Sequence, residues 1–214
     1  MDGNNRWSKL NAYSKYKGYK TGADNLFKLS SYIFKNYDVN IVSAFALSSS
    51  NLLRPTKDVL TIKKVLNYSL NKILKQNIEF KIEFIGNLSF LDREIKKKIN
   101  EIKRLNLLIK NKKQLLIFIN YSGQEDILRS ANRLNKSNLR FSKKKFLNNL
   151  YTKNIQDPDI LIRSGGYVRL SNFMLFQISF TELFFLKKLW PDLSTKDVKK
   201  IINKFNVIER KFGK

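Results

Sequence analysis

The run Leu115-Leu116-Ile117-Phe118-Ile119-Asn120 decides the fold class, because five apolar residues follow one another without a break. An uninterrupted apolar run of this length is typical of a strand buried on both faces, as in a parallel sheet covered by helices. Polar residues follow it at once, in Tyr121-Ser122-Gly123. Four further stretches are interpreted as strands: Val39–Leu47, Ile78–Ile85, Asp159–Ile162 and Phe184–Leu186.

Stretches with helical spacing of apolar residues separate these strands. The alternation predicts an α/β fold, with one domain over residues 1–214 and a mostly parallel β-sheet flanked by helices. The apolar side chains of the two longest helices are either plain core or the wall of an apolar tunnel. The predicted helices are Thr21–Tyr37, Asp58–Gln76, Leu91–Lys110, Gln124–Leu134, Phe141–Leu150 (capped by Ser142), Phe173–Leu183 and a last one from the Ser194 cap to Phe205.

The composition limits the chemistry that this chain can perform. Its 214 residues, 43% of them hydrophobic, suit one sizeable domain. It has no cysteine and no histidine, which excludes disulfides, thiolate or imidazole metal sites and Ser-His or Cys-His catalysis. Any metal is therefore expected to be a hard cation held by carboxylates.

The net charge of +25 favours contact with anions. Nucleic acid and an anionic membrane surface are the two partners that such a charge suggests. The lysines are spread along the chain, however, as AT-rich coding would produce, and we expect most of them to be compositional. No apolar run approaches the roughly 20 residues of a membrane helix, and no signal peptide is present. We therefore expect a cytoplasmic protein that is at most loosely membrane-associated.

The first seven residues, Met1-Asp2-Gly3-Asn4-Asn5-Arg6-Trp7, have the composition of a loop that meets a metal and a phosphate. Asp2 offers hard oxygen ligands suited to Mg²⁺. Gly3 lets the backbone approach a ligand closely, and Arg6 can fork onto phosphate oxygens. An exposed terminal turn would have a similar composition, so this stretch alone does not decide between the two.

A second group of polar residues follows the strand Asp159–Ile162. Arg163 and Arg169 flank Ser164-Gly165-Gly166, and Ser171 lies just beyond. Two guanidinium groups, a hydroxyl and glycines that leave backbone N–H groups free suit a diphosphate. Glu182 lies in the otherwise apolar segment SFTELFFL, where it is either a paired structural charge or a metal ligand.

Taken together, these motifs resemble the cis-prenyltransferase family, and most closely its bacterial undecaprenyl diphosphate synthases. The resemblance runs in register over essentially the whole chain. The residues that carry it are MDGNNRW at the start, the Ser48-to-Pro55 segment, Asn120-Tyr121-Ser122-Gly123, the block from Asp157 through Arg163-Ser164-Gly165-Gly166 to Phe173, Glu182 and Trp190-Pro191-Asp192.

The resemblance implies a Mg²⁺-dependent transferase. Such enzymes condense isopentenyl diphosphate onto an allylic diphosphate, usually farnesyl diphosphate, and form a cis double bond at each addition. The product is a long polyprenyl diphosphate such as undecaprenyl diphosphate, a lipid-carrier precursor for cell-wall synthesis. The family's enzymes of this type are homodimers with a product tunnel between the sheet and two long helices, and Arg210 and Lys211 fall where the family reaches into the partner subunit.

The resemblance also implies roles for individual residues. Asp2 and Asn51 would be catalytic, and Asp2 with Glu182 would hold Mg²⁺. Arg163, Arg169 and Ser171 would bind isopentenyl diphosphate. The allylic diphosphate would be bound by Gly3, Asn4, Asn5, Arg6, Trp7, Lys15, Tyr19, Ser48 and Arg54.

Several positions depart from the family pattern. Tyr19 replaces a histidine, Ser50 a glutamate and Leu52 a tryptophan, and Tyr167 and Val168 replace an acid and a polar residue. The apolar strand that precedes the first motif in the family is missing before Met1, so either the true start lies upstream or the protein is a reduced remnant. A non-catalytic subunit is the alternative function, and a basic nucleic-acid-binding protein is a distant third.

Overall fold

The structure is a computed structural model that describes residues 1–136 and 141–211. Within these ranges, strands and α-helices alternate between residues 41 and 136. The helices are α1 (Asn4–Leu10), α2 (Lys15–Asn36), α3 (Thr56–Lys75), α4 (Arg93–Asn106), α5 (Gly123–Lys136), α6 (Lys143–Asn149) and α7 (Thr195–Phe205), with 3₁₀ helices at Ser49–Leu53 and Trp190–Asp192. The strands are β1 (Ile41–Ser48), β2 (Lys81–Ile85), β3 (Gln114–Tyr121), β4 (Ile160–Arg163) and β5 (Glu182–Phe185).

The apolar run at residues 115–119 forms the central strand. β3 lies between β1 and β2, and it is parallel to both. Leu115, Leu116 and Phe118 are each 0% exposed, as a strand covered on both faces requires. β4 and β5 form a second parallel pair. The predicted α/β class with parallel strands is therefore confirmed.

Each face of the three-stranded sheet packs against a different part of the chain. On one face, Leu115 and Ile117 belong to a large apolar cluster shared with α2, α3 and α4. On the other face, Leu116 and Phe118 pack against Met174 and its neighbours. The side chains between the sheet and the helices α3 and α4 pack as core here, so a tunnel in this layer stays a prediction.

Two predictions about the start of the chain were incomplete. The structure contains α1, which the sequence did not predict, and α2 begins at Lys15 rather than Thr21. The glycines within α2 explain its late predicted start, since glycine is a poor helix former. Here glycine is required by close packing: a Cβ at Gly22 would lie 2.0 Å from Asn4 Oδ1, and one at Gly18 would lie 2.5 Å from the Asn4 carbonyl oxygen.

The predicted apolar helix Phe173–Leu183 is wrong. The chain forms successive turns over this stretch, with left-handed φ values at Asn172 (65°) and Met174 (47°) that interrupt a helix. Glu182 already belongs to β5. The burial of Met174 and Ile178 explains the misleading periodicity, because these side chains contact the sheet from turns. The predicted caps Ser142 and Ser194 are confirmed, and Ser194 forms a capping box with Asp197.

No helix among the described residues is both long enough and apolar enough to cross a membrane.

A buried carboxylate ties the end of β3 to the chain that follows α6. The Asp126 side chain is 1% exposed. Its Oδ1 accepts a hydrogen bond from the Tyr151 N–H at 2.8 Å, and its Oδ2 accepts one from the Tyr121 hydroxyl at 3.3 Å. Burial raises the pKa of Asp126, while the Tyr151 N–H, the Arg129 charge and the Tyr121 hydroxyl act in the opposite direction. Asp126 therefore satisfies two donors that would otherwise be buried without an acceptor.

We predict that Asp126→Ala lowers the free energy of unfolding by about 2 kcal/mol or more, because a buried donor left without its acceptor costs about 1–3 kcal/mol. Urea denaturation at neutral pH measures the change. Glu125→Ala is the matched control, since Glu125 is an exposed neighbouring carboxylate on the same helix. Equal denaturation midpoints for the two variants would contradict the structural role of Asp126.

Candidate active site

The candidate site lies where parallel strands end. β1 ends at Ser48, β3 at Tyr121 and β4 at Arg163. Ligands of open α/β sheets bind beyond the carboxyl ends of the strands. The N-terminal loop of the chain lies against the end of β4, so the two polar segments that the sequence singled out meet here.

Three long-range hydrogen bonds hold the backbone of Asp2 in place. Its N–H donates to Ser164 Oγ at 3.2 Å, and the Ser164 hydroxyl donates to the Asp2 carbonyl oxygen at 3.1 Å. The Trp190 N–H donates to the same carbonyl oxygen at 2.9 Å. The first turn of the chain is therefore fixed by residues more than 160 positions away.

The Asp2 carboxylate lies between two arginines. Arg163 Nη2 donates to Asp2 Oδ2 at 3.0 Å, and Arg6 Nη2 lies 3.5 Å from Asp2 Oδ1. The carboxylate is 35% exposed, so one side remains open to solvent or ligand. Burial lowers the pKa of the nearby Met1 amino group to about 6, a shift that the Asp2 charge opposes and the Arg163 charge reinforces. The site thus brings together positive charge around one accessible carboxylate.

Gly165 permits this close arrangement. Arg6 Nη2 donates to the Gly165 carbonyl oxygen at 2.7 Å. A Cβ at Gly165 would lie 2.7 Å from Arg6 Nη2 and 3.1 Å from the Asp2 Cβ, and the φ of Gly165 is +93°. Gly3 has a φ of +100°, and a Cβ there would meet the Leu189 side chain at 2.7 Å. Both glycines serve the approach of one loop to another.

The expectation that the glycines leave their N–H groups free for phosphate is wrong. The Gly165 N–H donates to the Lys188 carbonyl oxygen and the Gly166 N–H to that of Leu186, both at 2.8 Å. Both bonds join this loop to the segment that follows β5. Any diphosphate at this loop would therefore contact side chains rather than these two N–H groups.

The residues expected to bind isopentenyl diphosphate do lie together. Arg163 Nη1 donates to Ser171 Oγ at 2.7 Å and to the Arg169 carbonyl oxygen. Asn172 anchors the loop: its Nδ2 donates to Ser122 Oγ at 2.8 Å and its Oδ1 accepts from the Gln124 N–H at 2.9 Å. The loop that carries Arg169 and Ser171 is thereby attached to the end of β3.

Tyr167 joins the arginines in a way that the sequence did not predict. The guanidinium carbon lies 4.0 Å from the ring centroid for Arg169, 4.9 Å for Arg6 and 5.8 Å for Arg163. The ring is partly exposed. In the sequence, Tyr167 is visible only as the replacement of an acid, because stacking between residues distant in sequence leaves no local pattern. The ring provides a shared contact for three cations that would otherwise repel one another.

The start of α1, two residues after Asp2, has polar groups without hydrogen-bond partners. The first hydrogen bond of the helix joins the Trp7 N–H to the Gly3 carbonyl oxygen at 2.8 Å. The N–H groups of Asn4, Asn5 and Arg6 therefore have no partner within the helix. Asn4 Oδ1 and Asn5 Oδ1 are also buried without a hydrogen-bond partner in the described structure. Unsatisfied polar atoms at this density are typical of a ligand site.

Trp7 and Trp190 stabilise the N-terminal loop through hydrogen bonds of their indole N–H groups. The Trp7 indole N–H donates to Asp192 Oδ1 at 2.6 Å, and the Trp190 indole N–H donates to the Gly22 carbonyl oxygen at 2.7 Å. Asn25 Nδ2 donates to the Trp190 carbonyl oxygen at 2.9 Å. The Trp190-Pro191-Asp192 turn thus fixes α1 against α2. The polar atom of Trp7, predicted to bind the allylic diphosphate, is already engaged in this support.

Of the other predicted allylic-site residues, some come together and some are paired elsewhere. Arg54 Nη1 donates to the Tyr19 hydroxyl at 3.2 Å. Lys15 Nζ donates to the Asp58 carboxylate at 2.7 Å, which ties α2 to α3. Ser48 is the last residue of β1, and its Oγ lies 2.8 Å from Ser50 Oγ. Asn51, which was predicted to be catalytic, lies in the 3₁₀ helix Ser49–Leu53, and its carbonyl oxygen accepts the Arg54 N–H.

The two predicted magnesium ligands do not meet within one chain. Glu182 is paired with Ile160 at the start of β4, whereas Asp2 contacts Arg163 at its end. Ile160 and Arg163 are three residues apart along β4, which corresponds to roughly 10 Å. No cluster of three carboxylates exists among residues 1–136 and 141–211. The Asp2 oxygens nevertheless fit Mg²⁺, which is commonly bound by one or two carboxylates together with substrate phosphates.

Comparison with known proteins gives one consistent family. The model of the family described as putative undecaprenyl diphosphate synthase matches residues 1–213. An isoprenyl transferase of Rickettsia typhi is 33% identical, covering 100% of this chain and 95% of the relative. A tritrans,polycis-undecaprenyl-diphosphate synthase (geranylgeranyl-diphosphate specific) of Pyrobaculum aerophilum is 31% identical, covering 100% and 93%.

Solved structures agree with this result. Lavandulyl diphosphate synthase from Lavandula x intermedia, in complex with dimethylallyl diphosphate, superposes with a TM-score of 0.89 at 26% identity, covering 100% of this chain and 95% of that one. A probable undecaprenyl diphosphate synthase from Campylobacter jejuni gives 0.81 at 28% identity, covering 91% and 92%. The fold, the family model and the relatives together show that this chain belongs to the undecaprenyl diphosphate synthase family of isoprenyl transferases.

Proposed function

We propose that this protein condenses isopentenyl diphosphate onto an allylic diphosphate, repeatedly and in cis, to give a long-chain polyprenyl diphosphate such as undecaprenyl diphosphate. Farnesyl diphosphate is the proposed starter, and residues 1–214 act as one catalytic domain. The observation that carries the proposal is the Asp2 carboxylate, fixed between Arg163 and Arg6 at the carboxyl end of β4. Relatives that are named isoprenyl transferases, and that the chain matches over nearly their whole length, support it.

The site has two sides, and each would bind one of the two diphosphates. Arg163, Arg169 and Ser171 form one side and would bind isopentenyl diphosphate, because guanidinium forks pair with phosphate oxygens. The start of α1, with its unpaired N–H groups, forms the other side and would take the allylic diphosphate. Arg6 contacts Asp2, Gly165 and Tyr167, so it lies between the two.

Magnesium would be held by Asp2 together with substrate phosphate oxygens. When bound, it neutralises the charge that develops on the departing allylic diphosphate. The chain's own contribution is preorganised positive charge: the guanidinium groups of Arg6 and Arg163 are already oriented by hydrogen bonds before substrate arrives. Fixed cations in a partly enclosed site stabilise a leaving anion without reorganisation, and this needs no histidine.

A homodimer is part of the proposal. Apolar side chains on and near β5 are exposed, with Phe180 60% exposed and Leu183 43% exposed. Val168 is 76% exposed on the loop that follows Gly166. A second copy of the chain would bury this surface. Glu182 of one protomer would then assist the metal site of the other. Within one chain, Arg210 contacts Asp159 at 2.5 Å, which holds the C-terminal segment beside the same surface.

The experiment that tests the function is a radiolabel assay. Purified protein receives farnesyl diphosphate, labelled isopentenyl diphosphate and Mg²⁺, with or without EDTA, and butanol-extractable products are sized by chromatography. We expect metal-dependent long-chain product. Asp2→Ala should retain the fold and lose activity by about 10²–10³-fold or more, since Asp2 supports charge stabilisation in the transition state.

Product from Asp2→Ala at the wild-type rate would remove Asp2 from the mechanism. A folded wild-type protein that makes no product would favour the alternative of a non-catalytic subunit. Adding geranylgeranyl or dimethylallyl diphosphate as starter distinguishes a wrong starter from an inactive protein.

Tyr167 yields a further prediction. Tyr167→Leu should raise the KM for isopentenyl diphosphate by about fivefold while changing kcat little, because the ring gathers the arginines but touches no reacting atom. Tyr167→Phe should restore the wild-type KM, since its ring keeps the stacking surface. Steady-state kinetics of the three proteins measures this. A KM that is unchanged in Tyr167→Leu, or not restored in Tyr167→Phe, would show that the ring does not position the arginines.

A further inference from the structure

The last turn of α4 and the chain that follows it expose a cluster of leucines. Leu107 is 85% exposed, Leu108 78% and Leu105 40%. We name residues 105–109 the leucine turn. Single exposed leucines are ordinary on protein surfaces, but neighbouring ones form a patch that calls for an apolar contact.

Hydrogen bonds made by Asn106 hold the leucine turn in place. Asn106 Nδ2 donates to the Ile82 carbonyl oxygen at 2.8 Å, and Asn106 Oδ1 accepts from the Ile82 N–H at 3.0 Å. The Leu107 N–H donates to the Arg104 carbonyl oxygen and the Leu108 N–H to that of Leu105, at 3.1 and 3.0 Å. Leu107 and Leu108 are therefore presented on an anchored turn.

Basic side chains surround the leucine turn. The segment from Lys103 to Lys113 contains five lysines and arginines and no acid. Within the described ranges, none of the five forms an ion pair, and Lys113 is the one whose side chain donates a hydrogen bond, to the Phe34 carbonyl oxygen. Three acids lie nearby in the sequence or at the same sheet edge: Asp38 and Glu79, which precede β1 and β2, and the exposed Glu101, one turn before Leu105 on α4. The other four cations are Lys103, Arg104, Lys110 and Lys112.

The leucine turn lies at the end of the sheet opposite the candidate active site. It precedes Gln114, the first residue of β3, whereas the site gathers at the carboxyl ends of the strands. The eight residues of β3 span roughly 25 Å. The layer between the sheet and the helices α3 and α4 connects these two ends.

We propose that the leucine turn docks this protein on an anionic lipid bilayer. Leu107 and Leu108 enter the boundary between headgroups and acyl chains, and the surrounding cations contact anionic headgroups. Exposed leucines rimmed by lysines fit a lipid surface better than a nucleic acid, which would contact the cations but leave the leucines in water. The proposal rests on the proposed function in one respect only: docking at this end would direct the apolar tail of the growing product toward lipid.

Vesicle co-sedimentation tests the docking without any substrate. Wild-type protein is mixed with vesicles of phosphatidylcholine alone, or of phosphatidylcholine and phosphatidylglycerol in equal parts. We expect binding to the anionic vesicles that weakens with salt. Leu107→Ser/Leu108→Ser should lower the partition coefficient by about tenfold or more. Lys110→Gln/Lys112→Gln should lower it by about fivefold per lysine near the surface.

Two control variants separate docking from general attraction. Leu128→Ser removes a leucine that is 62% exposed on α5, and it should bind vesicles like wild type. Lys199→Gln/Lys200→Gln removes two exposed charges from α7, a helix with no leucine, and should have a smaller effect than the lysine pair of the turn.

Four results would overturn the proposal. The first is that wild-type protein does not bind anionic vesicles, and the second is that the double leucine variant binds as wild type does. The two lysine pairs could have equal effects, which would indicate diffuse charge attraction. Alternatively, the double leucine variant could change the oligomeric state in size-exclusion chromatography with light scattering and leave vesicle binding intact, which would make the turn a protein interface. Turnover of the same variants without vesicles is measured separately, so failure of the transferase activity is distinguishable from failure of docking.

Discussion

The attachment of Asp2 to the end of β4 is the constraint on which the candidate site depends. Asp2 is the second residue of the sequence, yet Ser164, Arg163 and Trp190 determine where its backbone and carboxylate lie. Gly165 allows this contact because any side chain there would displace Arg6 or Asp2. The order of the active site is therefore a property of the closed fold, with both ends of the sequence contributing to it.

The charge balance of this cluster explains what it is built to bind. Three guanidinium groups gather around the Tyr167 ring, and two of them, those of Arg6 and Arg163, also contact the Asp2 carboxylate. Like charges at such distances repel unless an anion completes the arrangement. A diphosphate supplies that anion, with oxygens matched to the forks of Arg6, Arg163 and Arg169. In the free protein, Tyr167 reduces the repulsion by offering its ring to the same cations.

The sequence predicted the parts of the fold that depend on local pattern. The continuous apolar run of β3 gave the parallel sheet, and Ser194 gave the start of α7. The helix predicted over Phe173–Leu183 failed because periodicity records burial, and buried Met174 and Ile178 lie on turns rather than on a helix. Non-local packing also decided the start of α2, where α1 rests on its glycines.

For the candidate site as well, one part could be predicted from the sequence and another part could not. The resemblance identified Asp2, Arg163 and Ser171, and the structure places them in contact. It did not indicate that Lys15 is paired with Asp58, nor that Glu182 lies at the opposite end of β4 from Asp2. Tyr167 was visible only as a substitution, since its contacts join loops that are distant in sequence.

Calorimetric titration with inorganic pyrophosphate is the most direct test of the diphosphate site, because pyrophosphate carries the recognised group and undergoes no reaction. We expect saturable binding in EDTA through the arginines, tighter binding in Mg²⁺, and loss of the Mg²⁺ enhancement in Asp2→Ala with binding in EDTA retained. Absence of binding in both buffers, or an undiminished Mg²⁺ enhancement in Asp2→Ala, would contradict the claim that Asp2 and the surrounding arginines form the diphosphate and metal site.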